Sequence, residues 1–350
     1  MGIRMGIIGY GGMAHWHKEN SVRIDDVKVI GAYDIDPKQV EKANNDGIIG
    51  YSKLEDMLGN PEINLCLVAT PNNVHKEMVI RALNAGKHVI CEKPVTLSVK
   101  DLDEMIAAAQ ENNRVFTVHQ NRRWDHDYKV AKKVFEDGTL GKVYSIQSRL
   151  HGSGGIMHGW RGLPEYGGGM VFDWGVHFFD QILNMVPGKC LSVFADTHNV
   201  KTPEVDDYFC AMLKFENEIC VTVEVGTFVL KENPRWLICG NAGSMVINDF
   251  NGANGEIIKV SKLAEFVPPV IVQTSSGPTR TFAPQPPETK EHVKLPEVKA
   301  EWVEYYANVR DVIDGKAKLI VQPKQIRRNL SLIEKVFESA RTGKSVDFEC

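Results

Sequence analysis

A glycine-rich turn near the start of the chain limits what it can become more than any other stretch. Arg4-Met5-Gly6-Ile7-Ile8 suits a buried strand and runs directly into Gly9-Tyr10-Gly11-Gly12-Met13-Ala14, a G-x-G-x-x-A turn. In this pattern Gly9 permits the tight turn, Gly11 lets the backbone approach a pyrophosphate, and small Ala14 lets the next helix pack close to the strand. The helix start then offers free N–H groups and a positive dipole end to phosphates. A second strand-like run, Val27 to Tyr33, ends in Asp34, about 20 residues beyond the turn, where an acid meets the adenosine ribose. The order strand, turn, helix, strand, acid predicts a dinucleotide site. A carboxylate at position 34 accepts from ribose hydroxyls and repels a 2′-phosphate, so NAD is expected over NADP.

The chain has 350 residues, enough for two domains with substantial cores. Its charged fraction of 25% and net charge of −4 are ordinary, and no basic run points to nucleic acid. No stretch near the start resembles a secretory signal, and no apolar run is long enough for a bilayer. Seven cysteines are scattered without a C-x-x-C pair. That spacing suits reduced thiols in a cytoplasmic protein and predicts neither a disulfide framework nor a metal site.

Through the first third, strand and helix patterns alternate, the grammar of a parallel sheet covered by helices. Ile63 to Ala69 is an apolar strand ending at Thr70-Pro71-Asn72. A helix from His75 to Ala85 is stopped by Gly86, and the strand Lys87 to Cys91 ends at Glu92-Lys93-Pro94. After a helix from Ser98 to Glu111, the strand Val115 to Val118 closes with His119-Gln120-Asn121-Arg122-Arg123-Trp124. Ligands of open sheets sit beyond the carboxyl ends of strands, so these polar clusters are expected to face one cleft. Beyond residue 125 the pattern changes. A helix from Tyr128 to Glu136 precedes strand-like runs at 141–150, 192–197, 207–215, 219–228, 235–240 and 243–247, with one helix among them, which reads as an α+β domain with a mostly antiparallel sheet. Residues 283–299, rich in Pro and charge, read as an exposed loop, and helices are expected at 301–313 and 324–342, the latter stopped by Gly343. The expected division is residues 1–121 for nucleotide binding and 122–350 for substrate binding and assembly, with the last helix able to pack back on the first domain.

Later in the chain the most informative segment is Gly167 to Asp180. Three glycines free the backbone before a helix on which Asp173, His177 and Asp180 fall at i, i+4 and i+7, one face. A carboxylate one turn before an imidazole can orient it and support its positive charge, as a general base requires. A helical Asp/His pair is by itself commonly a plain hydrogen bond, and a lysine after a strand is commonly just solvated. Lys93 gains weight from its place at a strand's carboxyl end, where an ammonium polarises a hydroxyl and stabilises oxygen charge. His15, His17 and His158 have no comparable partner in the sequence.

Together these residues resemble the Gfo/Idh/MocA family, named for glucose-fructose oxidoreductase, inositol dehydrogenase and a rhizopine catabolism protein. The likeness rests on Gly9 to Ala14, Ala69-Thr70-Pro71-Asn72 with His75, Glu92-Lys93-Pro94, Asn121-Arg122-Arg123-Trp124, and Asp173 with His177, in family order. It implies a Rossmann domain followed by a domain with a large, mostly antiparallel open sheet whose exposed face joins subunits into dimers or tetramers. It also implies Lys93, Asp173 and His177 as the catalytic set. Ala69, Thr70, Pro71, Asn72, His75, Glu92 and Asn121 would flank the cofactor. Arg123, Trp124, Trp160 and Arg161 would meet substrate beside the catalytic set.

The expectation is an NAD-dependent dehydrogenase acting on a secondary ring hydroxyl of a sugar, a glycoside (at the third ring carbon in some relatives) or inositol. Here His177, oriented by Asp173, would take the hydroxyl proton while Lys93 steadies the forming carbonyl; which of the two takes the proton stays open, because their titrations can be coupled. Three other readings stay open on the same fold: a redox-neutral, NAD-retaining glycosidase or lyase, a sugar-sensing regulator without catalysis, and an oxidising subunit of a larger glycoside-processing assembly.

Overall fold

The structure, a computed structural model, describes residues 2–155, 157–262, 270–280 and 286–349. The first domain alternates β1 (Ile3–Ile8), α1 (Gly12–Ser21), β2 (Val27–Tyr33), α2 (Pro37–Asn45), β3 (Ile49–Tyr51), α3 (Leu54–Leu58), β4 (Leu65–Val68), α4 (His75–Asn84), β5 (His88–Cys91), α5 (Val99–Glu111) and β6 (Phe116–Val118). Its six strands lie in the order β3-β2-β1-β4-β5-β6 and every pairing is parallel. β4 is buried on both faces, as the centre of a helix-covered parallel sheet must be. Reversal of strand order between β1 and β4 opens a crevice at their carboxyl ends.

The second domain contains α6 (His126–Glu136), β7 (Val143–His151), α7 (Val176–Met185), β8 (Cys190–His198), β9 (Tyr208–Phe215), β10 (Cys220–Gly226), β11 (Trp236–Gly240), β12 (Gly243–Ile247), β13 (Gly255–Val260), β14 (Ile271–Thr274), β15 (Gly277–Arg280), β16 (Lys290–Val293), α8 (Glu304–Ile313), α9 (Pro323–Thr342) and β17 (Val346–Asp347). Nine of these strands form one sheet, β16-β13-β12-β11-β7-β10-β9-β8-β17, antiparallel except where β10 lies parallel to β7. The family's mostly antiparallel large sheet is therefore present, and β14 and β15 make a separate hairpin. The expected loop at 283–299 is corrected in part: Lys290–Val293 pairs with β13 as an edge strand, its exposed charges placing it where an edge tolerates them. Residues 283–285 of that loop lie outside the described residues.

The two cores do not follow the chain division at 121. Trp124, Tyr305, Tyr306, Val309, Val321, Ile326 and Leu330 pack into the core of the first domain, whereas Leu332, Ile333 and Val336 belong to the second. One 20-residue helix, α9, thus crosses from one core to the other. Cys66, Cys91, Cys210, Cys220 and Cys239 carry free thiols, and no helix among the described residues is long and apolar enough to cross a membrane.

Candidate active site

The nucleotide end is built as the turn requires. Gly9 has φ +89, and a Cβ there would lie 2.8 Å from the Ala69 carbonyl oxygen, so only glycine fits without strain. At Gly11 and Gly12 an added Cβ would meet nothing within 4 Å; the backbone faces open space that a phosphate can approach. α1 starts without a side-chain cap and without an acid in its first turn, which leaves its N–H groups and dipole for an anion. Ala14 is fully buried against the sheet. Asp34 accepts from the Tyr10 backbone N–H at 2.6 Å and the Asp36 N–H at 2.8 Å, so its carboxylate is held at the mouth with lone pairs left for ribose hydroxyls. The Tyr10 ring turns inward and its hydroxyl donates to Asp46 at 2.8 Å, while Met13 stays exposed. At the end of β4 the Thr70 hydroxyl is buried with no partner among the described residues, and half-buried Ala69 and Pro71 flank it. These features fit NAD, which Gly9 to Met13, Asp34 and Thr70 would hold.

At the reacting end, residues from both domains converge. The Lys93 ammonium, at the end of β5, donates to the Asp173 carboxylate and to the Asp173 carbonyl, both at 2.8 Å. Since an ammonium has three donors, one remains for a substrate oxygen. Arg161 approaches the same carboxylate at 3.4 Å and stacks 4.3 Å over the Trp160 ring. Burial alone pushes the Asp173 carboxyl up, but the charges of Lys93 and Arg161 outweigh it and hold the group below the ordinary carboxylate range. His177 is buried, and its Nδ1 meets the Gln120 side-chain oxygen at 3.1 Å. Burial, then the charges of Lys93 and Arg122, drive its pKa well below the usual imidazole value, so the ring is neutral at physiological pH.

Several expectations are corrected here. Asp173 does not orient His177. Val171–Gly175 forms a π-turn closed by Val176 N–H to the Val171 carbonyl, and the wider turn breaks the i, i+4 stacking of an α-helix. Asp173 goes to Lys93, His177 to Gln120, and Asp180 to Arg123. Arg123 is not a substrate contact: its guanidinium makes two 2.7 Å bonds to Asp180 and others to the Ile320 carbonyl and Gln325. Trp124 is buried edge-on to Tyr305 and does not reach the cleft. Asn72 is also buried and donates to the Tyr166 and Gly167 carbonyls, bracing the second domain. Both ring nitrogens of His75 face carbonyls, those of Thr70 and Pro94, so it ties two strand ends together instead of touching the cofactor. Glu92 is likewise internal: one oxygen meets His17 at 2.6 Å and His119 at 2.7 Å, and the other accepts from the Lys93 backbone N–H at 3.1 Å. The Glu92 oxygen sits at hydrogen-bond distance from a nitrogen of each histidine, tighter than the roughly 3.3 Å spacing of ligands around a zinc ion at 2.0–2.1 Å. Asn121, half-buried, opens the 3-10 turn Asn121–Trp124 at the cleft.

Sequence reasoning placed His119, Gln120 and Arg122 in the cluster expected at the cleft but gave them no role of their own, and it left His17 without a partner. Arg122 lies 4.1 Å over the Trp174 ring and pairs with Asp125. The available signal was only their position at a strand's carboxyl end or in the first helix. The partners of Gln120, His17 and His119 lie well away from them in the chain.

Residues 3–120 match the family description of an oxidoreductase with an NAD-binding Rossmann fold, and residues 128–246 match the C-terminal domain of the same family. The crystal structure of an NAD-binding protein from Listeria innocua superimposes with a TM-score of 0.92, at 39% identity over 99% of this chain and 100% of that one. An NADP(+)-linked scyllo-inositol 2-dehydrogenase of Bacillus subtilis is 25% identical over 99% of this chain and 96% of its own length. A myo-inositol 2-dehydrogenase of Thermotoga maritima is 30% identical over 55% of this chain and 58% of its own. With both domain signatures in sequence order, a near-complete structural match and a glycine turn shaped for a dinucleotide, this chain belongs to the Gfo/Idh/MocA family of NAD-binding oxidoreductases.

Proposed function

We propose that the chain oxidises a secondary ring hydroxyl of a sugar, glycoside or cyclic polyol to a ketone. The observation that carries this reading is the meeting of Lys93 with Asp173 and of His177 with Gln120 between the two domains, beyond the same strand ends that frame the dinucleotide turn. The chemistry NAD supplies when bound is acceptance of a hydride from the carbinol carbon. His177 takes the hydroxyl proton on its outer nitrogen, and the spare Lys93 donor follows the oxygen as it becomes a carbonyl. Trp160 and Arg161 form the substrate wall. The inositol dehydrogenases among the relatives favour a polyol. A sensing role without catalysis is disfavoured by the intact Lys93, Asp173 and His177.

NADH absorbance measured with a panel of inositols, free hexoses and glycosides tests the reading. His177→Ala is expected to lower turnover by roughly 100-fold with NAD affinity preserved, the usual worth of a positioned base; unchanged turnover removes His177 from the mechanism. Asp34→Ala is expected to relax the NAD preference toward NADP, read as the ratio of the two kcat/KM values, and an unaltered ratio would count against the ribose role. For assembly, Phe194 and Met212 face each other across β8 and β9, both about half exposed. An apolar pair on an open sheet supports a homodimer or homotetramer through this face, measurable by sedimentation of wild type and Met212→Lys.

A further inference from the structure

Gln120 has no part in any signature of the chain, yet it is the residue that meets the inner nitrogen of His177. It is 1% exposed. Its backbone adopts φ −81 and ψ 58, with its N–H bonded to the Val118 carbonyl at 2.8 Å. That bond closes a three-residue turn with His119 at its centre, a tight turn of the kind found at strand ends. The turn redirects the chain as it leaves β6, and the Gln120 side chain crosses to the second domain to reach His177. Both backbone ends are tied, since the Gln120 carbonyl accepts from the Arg123 N–H at 3.2 Å and Arg123 is itself locked to Asp180.

We propose that Gln120 is the positioning residue for the general base, selecting the His177 tautomer that carries its proton on Nδ1 and presents a bare Nε2 to substrate. An amide oxygen accepts but does not donate, so it favours N–H at Nδ1 over the opposite tautomer. It does so without charge, unlike the carboxylate of a Ser-His-Asp triad, which raises imidazole basicity as well as orienting it. The surroundings match a neutral ring: Lys93 and Arg122 press against positive charge on His177, with His119 adding to them and buried Glu92 opposing. Asp173, which could have served as the partner, is committed to Lys93 and Arg161. The site therefore separates two tasks. Lys93 and Asp173 hold the substrate oxygen, and Gln120 and His177 hold the proton acceptor.

The inference rests on the dehydrogenase reading but is tested without turnover. In 15N-histidine-labelled enzyme with NAD bound, assigned by loss of one signal in His177→Ala, His177 is expected in the Nδ1–H form at pH 7.5. The Nε2–H form overturns the proposal. Gln120→Glu is expected to raise the midpoint of the His177 titration by about one unit or more, the usual effect of an adjacent carboxylate, and an unmoved midpoint also overturns it. If Gln120→Leu folds, its His177 is expected to shift toward Nε2–H; if it does not, the Gln120→Glu titration decides. Where a substrate is turned over, Gln120→Leu is expected to lower kcat by roughly 10–100-fold with little change in KM. The Nδ1–H tautomer together with no oxidation of any polyol would uphold Gln120 and reject the substrate assignment.

Discussion

Lys93→Met is expected to reduce kcat by about 10³-fold, toward the upper end of what loss of one transition-state donor costs, while NAD affinity changes by no more than a few-fold. The ammonium gives two of its three donors to Asp173, which fixes the direction of the third. Methionine keeps the length and apolar stem but offers no donor, so a developing oxygen charge goes unmatched. The residues proposed to hold the cofactor's phosphates and ribose, Gly9 to Met13 and Asp34, lie at the ends of β1 and β2, away from β5. Stopped-flow NADH formation and fluorescence titration of NAD separate the two quantities. A variant with more than a tenth of wild-type kcat would exclude Lys93 from the chemical step. The ion pair has a pH signature as well. The folded pKa of Asp173 lies below its unfolded value of about 3.9. Its contribution to stability is then complete above about pH 4 and is lost as pH falls further, through the folded value. Asp173→Asn is expected to flatten the acid side of the stability curve.

Asp180→Ala is expected to destabilise the fold by about 3–5 kcal/mol, the cost of leaving one partner of a buried ion pair uncompensated. Its carboxylate is 2% exposed and accepts two 2.7 Å bonds from the Arg123 guanidinium, a bidentate pair. Arg123 in turn reaches Ile320 and Gln325, so one residue joins the end of β6, α7 and the start of α9. Removing the acid strands a buried guanidinium at the junction of the two cores. A thermal shift of roughly 6–20 °C follows for domains of this size, and calorimetry measures it. Asp180→Asn keeps the shape and one acceptor and is expected to recover part of the loss. A shift under about 2 °C would show that the junction is held by its apolar packing alone. The pair also explains a separation of roles within one short motif: Arg123 is structural, whereas its neighbour Arg122 remains near the cleft.

The dinucleotide half was legible because its constraints are local. Gly9 needs a positive φ within its own turn, Asp34 follows its strand at a fixed interval, and Ser98 caps the helix that follows it by accepting from the Asp101 N–H three residues on. Alternating elements then imply the parallel sheet, and the carboxyl ends of its strands imply the cleft. Lys93, Asp173 and His177 were identified as a set by family likeness and by their segment, but their partners were not. An α-helical reading of Asp173 and His177 assumed 3.6 residues per turn, and the π-turn at Val171–Gly175 broke that assumption. The burial of Glu92 between His17 and His119, and of Trp124 against Tyr305, joins residues that local sequence does not connect.

From its order of residues alone, the chain determines a nucleotide-binding sheet, an acid at the end of its second strand, and the lysine, aspartate and histidine proposed to act on a hydroxyl. Only tertiary structure decides which of them hold each other. Spacing along a chain specifies local backbone geometry, whereas the partner of a charge depends on which distant element packs beside it. Hence Asp173 serves Lys93, and an amide from the neighbouring domain, Gln120, serves His177.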